Sequence, residues 1–126
     1  MSPAALFLGL SALVYGAFGL AGLFAPAAVV GAAGVTLAPE ASVVELRAVY
    51  GGAMLGLALL FALCMRPDRQ RLGLIAVALI AGGPLAGRLL GLLWEPVPPG
   101  FAWIAGGEAL WLAIAAGLLP RTPARP

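Results

Sequence analysis

The chain has 126 residues, 63% of them hydrophobic and only 10% charged, with seven basic residues that are all arginine, five acids, no histidine and one cysteine. Soluble domains carry roughly 25% charged residues, because a small globule has far more surface than core. A water-soluble fold is therefore excluded, and a mean hydropathy of +1.07 calls for a bilayer. Without histidine or lysine, and with a lone cysteine, most metal-dependent, nucleophilic and Schiff-base chemistries lack their raw material. No cofactor, no metal site, no catalytic residue and no nucleic-acid partner is predicted.

A span of hydrocarbon about 30 Å thick needs about 20 apolar residues, and the chain offers four such stretches. The first, 3–25, carries no charge and ends at Pro26. Its start lacks the Arg or Lys expected of a secretory leader, so it reads as a retained helix. The segment 26–42 that follows is apolar and glycine-broken through Val29-Val30-Gly31-Ala32-Ala33-Gly34. It is predicted to lie on the membrane or to fold over the bundle as a lid.

The second span, 43–65, opens on Ser42-Val43-Val44-Glu45, a capping-box pattern. Arg66-Pro67-Asp68-Arg69-Gln70-Arg71 separates it from the third, 72–94, and Glu95-Pro96-Val97-Pro98-Pro99-Gly100 separates that from the fourth, 101–119. None of these runs shows the alternation of barrel strands. The prediction is an all-α polytopic membrane protein, a single domain over 1–126 with four transmembrane helices in an antiparallel bundle. Cys64 reads as a small core residue.

Arginines collect in short cytoplasmic loops. Arg66, Arg69 and Arg71 share one side with the tail that carries Arg121 and Arg125, whereas the other side receives Glu40 and Glu95. Both termini are accordingly expected in the cytoplasm, in the inner membrane of a cell, with 26–42 outside. Small residues recur every four positions at Gly83, Gly87 and Gly91, at Gly52 and Gly56, and at Ala109, Ala113 and Gly117. Such ridges let helices approach closely in lipid, and packing within one bundle is expected of them in preference to dimerisation.

Four ionisable residues fall inside the spans: Glu45, Arg47, Arg88 and Glu108. Intramembrane charge is costly and usually paired. With the third span ending at Trp94, Arg88 lies about 9 Å and Glu108 about 10 Å from the outer ends of their helices, and Glu45 and Arg47 lie within the first turns on that side. An Arg88–Glu108 pair is predicted, with Arg47 its nearest third member. Glu45 has the alternative of serving only as a helix cap, and Arg47 that of snorkelling to the interface. Tyr50 and Trp111 stand one turn below Arg47 and Glu108, an aromatic wall beneath a charged layer. Trp94 and Trp103 suit an interfacial belt.

The run Glu45-Leu46-Arg47-Ala48-Val49-Tyr50-Gly51-Gly52, together with Gly87-Arg88-Leu89-Leu90-Gly91 and the acidic, proline-containing turn at Glu95, resembles a family of small bacterial four-helix membrane proteins known only as a domain of unknown function. That family is similar in layout to DoxX-like membrane proteins. The resemblance covers nearly the whole chain and implies that Glu45, Arg47, Tyr50, Arg88 and Glu108 are shared polar residues. The family pattern favours Asp-Gly where this chain has Glu95-Pro96, and it has no activity to lend.

The expected function is non-enzymatic: a pocket in the outer leaflet that binds a lipid-like or quinone-like molecule, or the helix of a partner membrane subunit. Ligand or polar-network residues would be Glu45, Arg47, Tyr50, Arg88, Glu108 and Trp111. A small oligomeric proton-coupled transporter is the alternative. Exporters of comparable size place their essential Glu on the first helix, whereas the first span here is uncharged and the inner halves show no relay.

Overall fold

The computed structural model describes residues 1–123, so Arg125, used above to orient the chain, lies outside the described residues. Helix α1, Pro3–Phe24, starts where Ser2 accepts the Ala5 N–H and where Pro3 occupies a first-turn position that needs no donor. A short helix α2, Pro26–Gly31, follows directly. Helix α3, Val43–Leu63, is one continuous rod whose Arg47–Ala53 stretch is wound as a π-helix. Helix α4 is Gln70–Gly91, and α5 is Phe101–Leu118, closed by a 3-10 turn at Leu119–Arg121. Among the described residues the secondary structure is all helical, and α1, α3, α4 and α5 are each long and apolar enough to cross a membrane. Helices suit that setting because they satisfy their own backbone in lipid.

Two boundaries differ from expectation for local reasons. Helix α4 begins at Gln70, not 72, because the Gln70 amide is held at both ends, accepting from Ser2 Oγ at 2.8 Å and donating to the Met65 carbonyl at 3.0 Å. It stops at Gly91, not 94, where the N–H groups of Leu93, Trp94 and Glu95 turn back onto Leu90 and Gly91, and Pro96 prevents any continuation. Trp94 therefore belongs to a turn. The helix also runs through Pro84, which leaves the Ile80 carbonyl without its intrahelical donor.

Packing divides the bundle into two antiparallel hairpins, α1 with α3 and α4 with α5, joined mainly through α1 and α4. Leu8, Phe61, Leu74 and Val77 are fully buried where the hairpins meet, with Cys64 and Ala115 beside them. All of these lie toward the end that carries the N-terminus and the last described residues. That end is also cross-braced by Arg71, which donates to the Leu119 and Thr122 carbonyls at 3.3 Å each, satisfying helix-end acceptors with a cation that suits the C-terminal dipole. Beyond Ala81, α4 has no buried residue, so the hairpins are less tightly joined toward the opposite, distal end.

The small-residue ridges do not serve the packing expected of them. A Cβ built on Gly52, Gly56, Gly83, Gly87 or Gly91 would meet nothing within 4 Å, and Ala109 and Ala113 are exposed. The close approaches use other glycines. A Cβ on Gly22 would collide with the Tyr50 carbonyl, and one on Gly51 would lie 2.6 Å from Leu23 Cδ2. One on Gly73 would lie 2.6 Å from the Cys64 Cβ. Spacing of four is set by the helix itself; which face meets a neighbour is set by tertiary contacts that spacing does not encode.

At the distal end, the segment after α2 is fastened to the α4–α5 turn. Gly34 and Gly100 both have φ of 79°, and Gly34 rests against Pro99 while Gly100 rests against the Ala32 carbonyl and the Trp103 indole. The 26–42 segment thus begins as a helix and then docks on a neighbouring turn. Gly100→Ala should cost about 1–2 kcal/mol for the left-handed backbone alone. Its check is a thermal melt together with proteolysis of the 32–42 segment, which should quicken as the docking loosens.

Candidate functional site

The most distinctive polar feature lies within the α4–α5 hairpin. The turn between them sets the helices in register, so that Gly82 faces Leu112 and, further along, Arg88 faces Glu108. Arg88 Nε donates to both carboxylate oxygens, at 3.2 Å and 3.0 Å, and Nη2 donates to Oε1 at 3.0 Å. This is a side-on, two-pronged contact of the strong kind. The Arg88 side chain is 36% exposed and that of Glu108 18%, so the acid is the more enclosed partner. Because α4 ends at Gly91, Arg88 sits in its last turn, shallower than the sequence suggested, and the favourable dipole end of the helix supports its charge.

Beneath the pair the hairpins are stitched together. Trp111 Nε1 donates to Ser11 Oγ at 3.1 Å, and Ser11 donates in turn to the Phe7 carbonyl at 2.9 Å. Phe7 and Trp111 pack at a ring separation of 5.9 Å, and Tyr15 meets Phe61 edge-on at 5.2 Å. Ser11 is fully buried with its hydroxyl used twice, as a hydroxyl inside a membrane requires. Together these contacts tie α5 to α1 and α1 to α3 below the ion pair.

Above the pair is a pocket of about 530 Å³, within the range of roughly 300–1,000 Å³ usual for small-molecule sites. Its walls are mainly apolar and include Leu92, Val97, Phe101 and Ile104, while Arg88 and Glu95 supply its charged groups. Ala33, from the segment docked on the turn, closes part of one side. Among the described residues, no three metal-ligating side chains gather.

Comparison with known proteins adds a family. The model of a domain of unknown function, DUF4345, matches residues 4–119. The chain belongs to the DUF4345 family. No curated protein and no solved structure matches it.

In this DUF4345 member, the six residues singled out from sequence separate into two groups. Arg88, Glu108 and Trp111 come together between α4, α5 and α1. Glu45, Arg47 and Tyr50 lie elsewhere, exposed on α3. Ser42 caps α3 by accepting the Glu45 backbone N–H at 3.3 Å, the serine half of the expected capping box; among the described residues the Glu45 carboxylate makes no hydrogen bond to the helix start. Among the described residues, Arg47 makes no salt bridge, so the ion pair is built from two helices and not three. The physical reason is that α3 packs against α1, whereas the pair belongs to the α4–α5 hairpin. Trp111 donates to Ser11 and is not among the residues that line the pocket. Ser11, which accepts from Trp111, and Glu95, which shares the pocket lining with Arg88, were not foreseen as parts of the site. A lone hydroxyl in the apolar run of α1 was the signal that could have found Ser11.

Proposed function

We propose that this DUF4345 protein is a non-enzymatic, multi-pass protein of a bacterial inner membrane that binds an amphipathic, lipid-like or quinone-like molecule in the pocket above Arg88 and Glu108. The observation that carries this reading is a mainly apolar pocket of about 530 Å³ whose charged groups are the Arg88 guanidinium, already held by the Glu108 carboxylate, and Glu95. A polar head would meet Arg88, and an apolar body would lie against Leu92, Phe101 and Ile104. In lipid, a fixed polar group in an apolar wall favours ligands that offer it an acceptor. The cytoplasmic placement of the termini is supported by Arg66, Arg69, Arg71 and Arg121 at one end of the bundle against Glu40, Glu45 and Glu95 at the other.

Native mass spectrometry of gently extracted protein tests the reading. The wild type should retain a stoichiometric amphipathic adduct, and the charge-neutral double variant Arg88→Gln/Glu108→Gln should lose it while melting within a few degrees of wild type. Adducts of equal abundance in both would overturn it.

A further inference from the structure

We propose that the pocket is selective for the head of a zwitterionic amino-phospholipid, with the phosphate on Arg88 and the primary ammonium on Glu95. This rests on the binding reading above and names the ligand class. A guanidinium has two edges that can each hold a pair of oxygens. Glu108 occupies the side-on edge through Nε and Nη2. Among the described residues, Nη1 donates to no protein group, so the end-on edge of a residue that lines the pocket is left for a second acceptor.

Charge decides what that acceptor belongs to. Arg88 and Glu108 cancel, and the remaining charged group in the lining is Glu95, whose carboxylate forms no salt bridge among the described residues. The site as a whole therefore carries one negative charge. An anionic head such as phosphatidylglycerol would set its phosphate near an uncompensated acid, and like charges brought together are disfavoured. A purely cationic head would suit Glu95 but leave the open edge of Arg88 unused. A head carrying both charges satisfies both residues and leaves the net charge of the site unchanged.

The single acid and the scarcity of aromatic side chains in the walls also separate ethanolamine from choline. A carboxylate accepts hydrogen bonds from a primary ammonium, whereas a quaternary ammonium donates none and is ordinarily recognised by a cage of aromatic faces. Phe101 is the one aromatic side chain among the lining residues. Glu95 lies in the turn just beyond the apolar span of α4. A volume of about 530 Å³ holds a headgroup and glycerol with the acyl chains continuing into the bilayer.

The test is competition in native mass spectrometry, with wild-type protein offered phosphatidylethanolamine, phosphatidylglycerol and phosphatidylcholine of identical acyl chains in equal amounts. Phosphatidylethanolamine adducts should be enriched by about two- to fivefold, the range of one partly exposed ion pair. Glu95→Gln should abolish the preference, and Glu95→Lys should shift it toward phosphatidylglycerol, a gain that misfolding cannot produce. Lipid retained without headgroup preference, or a wild type that prefers phosphatidylglycerol, would overturn the selectivity while leaving the lipid-binding reading in place. Absence of any retained lipid would overturn both.

Discussion

Gly22→Leu is expected to separate α1 from α3 and to leave little folded protein, whereas Gly83→Leu should melt close to wild type. At Gly22 the obstacle is the Tyr50 carbonyl, a backbone group that cannot rotate away as a side chain would. Tyr50 is also part of the π-wound stretch Arg47–Ala53, so a helix displaced there would have to move as a unit. Overpacking typically costs about 1–3 kcal/mol, and a collision with backbone belongs at or above the top of that range. Gly83 has nothing within 4 Å of a built Cβ, so a leucine there adds only lipid-facing surface. Thermal unfolding of the two variants in one detergent measures the contrast. Equal losses, or a greater loss at Gly83, would mean that the ridge on α4 faces inward after all.

That contrast marks how far the sequence could be read. Four helices followed from the length of the apolar runs, since proline and charge end a span where water begins. The Arg88–Glu108 pair followed from the cost of intramembrane charge and from the similar depth of the two residues on adjacent spans. What stayed hidden depended on which helix faces which. Glu45 and Arg47 sit at the right level but on α3, which packs on α1, so depth alone placed them in a layer they do not join. The glycines at 83, 87 and 91 have contact spacing without a contact, while the close approach is made by Gly19 and Gly22, spaced by three and not four, together with Gly51. Local signals fix a helix and its ends; the rotation of that helix about its axis is fixed by long-range packing.

The second large effect is expected at the ion pair. Removing one member of a fully buried pair costs about 3–5 kcal/mol because the survivor is left uncompensated; this pair is partly buried, so the losses should fall at or below the low end of that range, and the two single changes should differ. Arg88→Leu strands Glu108, whose side chain is only 18% exposed and too short to reach the interface. Glu108→Leu strands Arg88, which is 36% exposed and in the last turn of α4, from where a long side chain climbs to the headgroups. Arg88→Leu should therefore lose about 3 kcal/mol and Glu108→Leu clearly less. Arg88→Leu/Glu108→Leu should recover most of the loss, since apolar replacement of a whole pair is often neutral. A double-mutant cycle of unfolding free energies in bicelles gives the coupling directly. Additive losses would show that the two side chains act independently.

The central claim is that the pocket above this pair is where a lipid-like molecule resides, and site-mapped photocrosslinking reads that location without depending on stability. Purified protein in nanodiscs containing a phospholipid with a diazirine near its glycerol should be labelled chiefly between Leu92 and Ile104, and the labelling should fall sharply in Arg88→Gln/Glu108→Gln. Labels spread evenly over lipid-facing positions such as Leu13, Leu59 and Leu79, all of them exposed, with no excess at Leu92, Val97, Phe101 or Ile104, would contradict it.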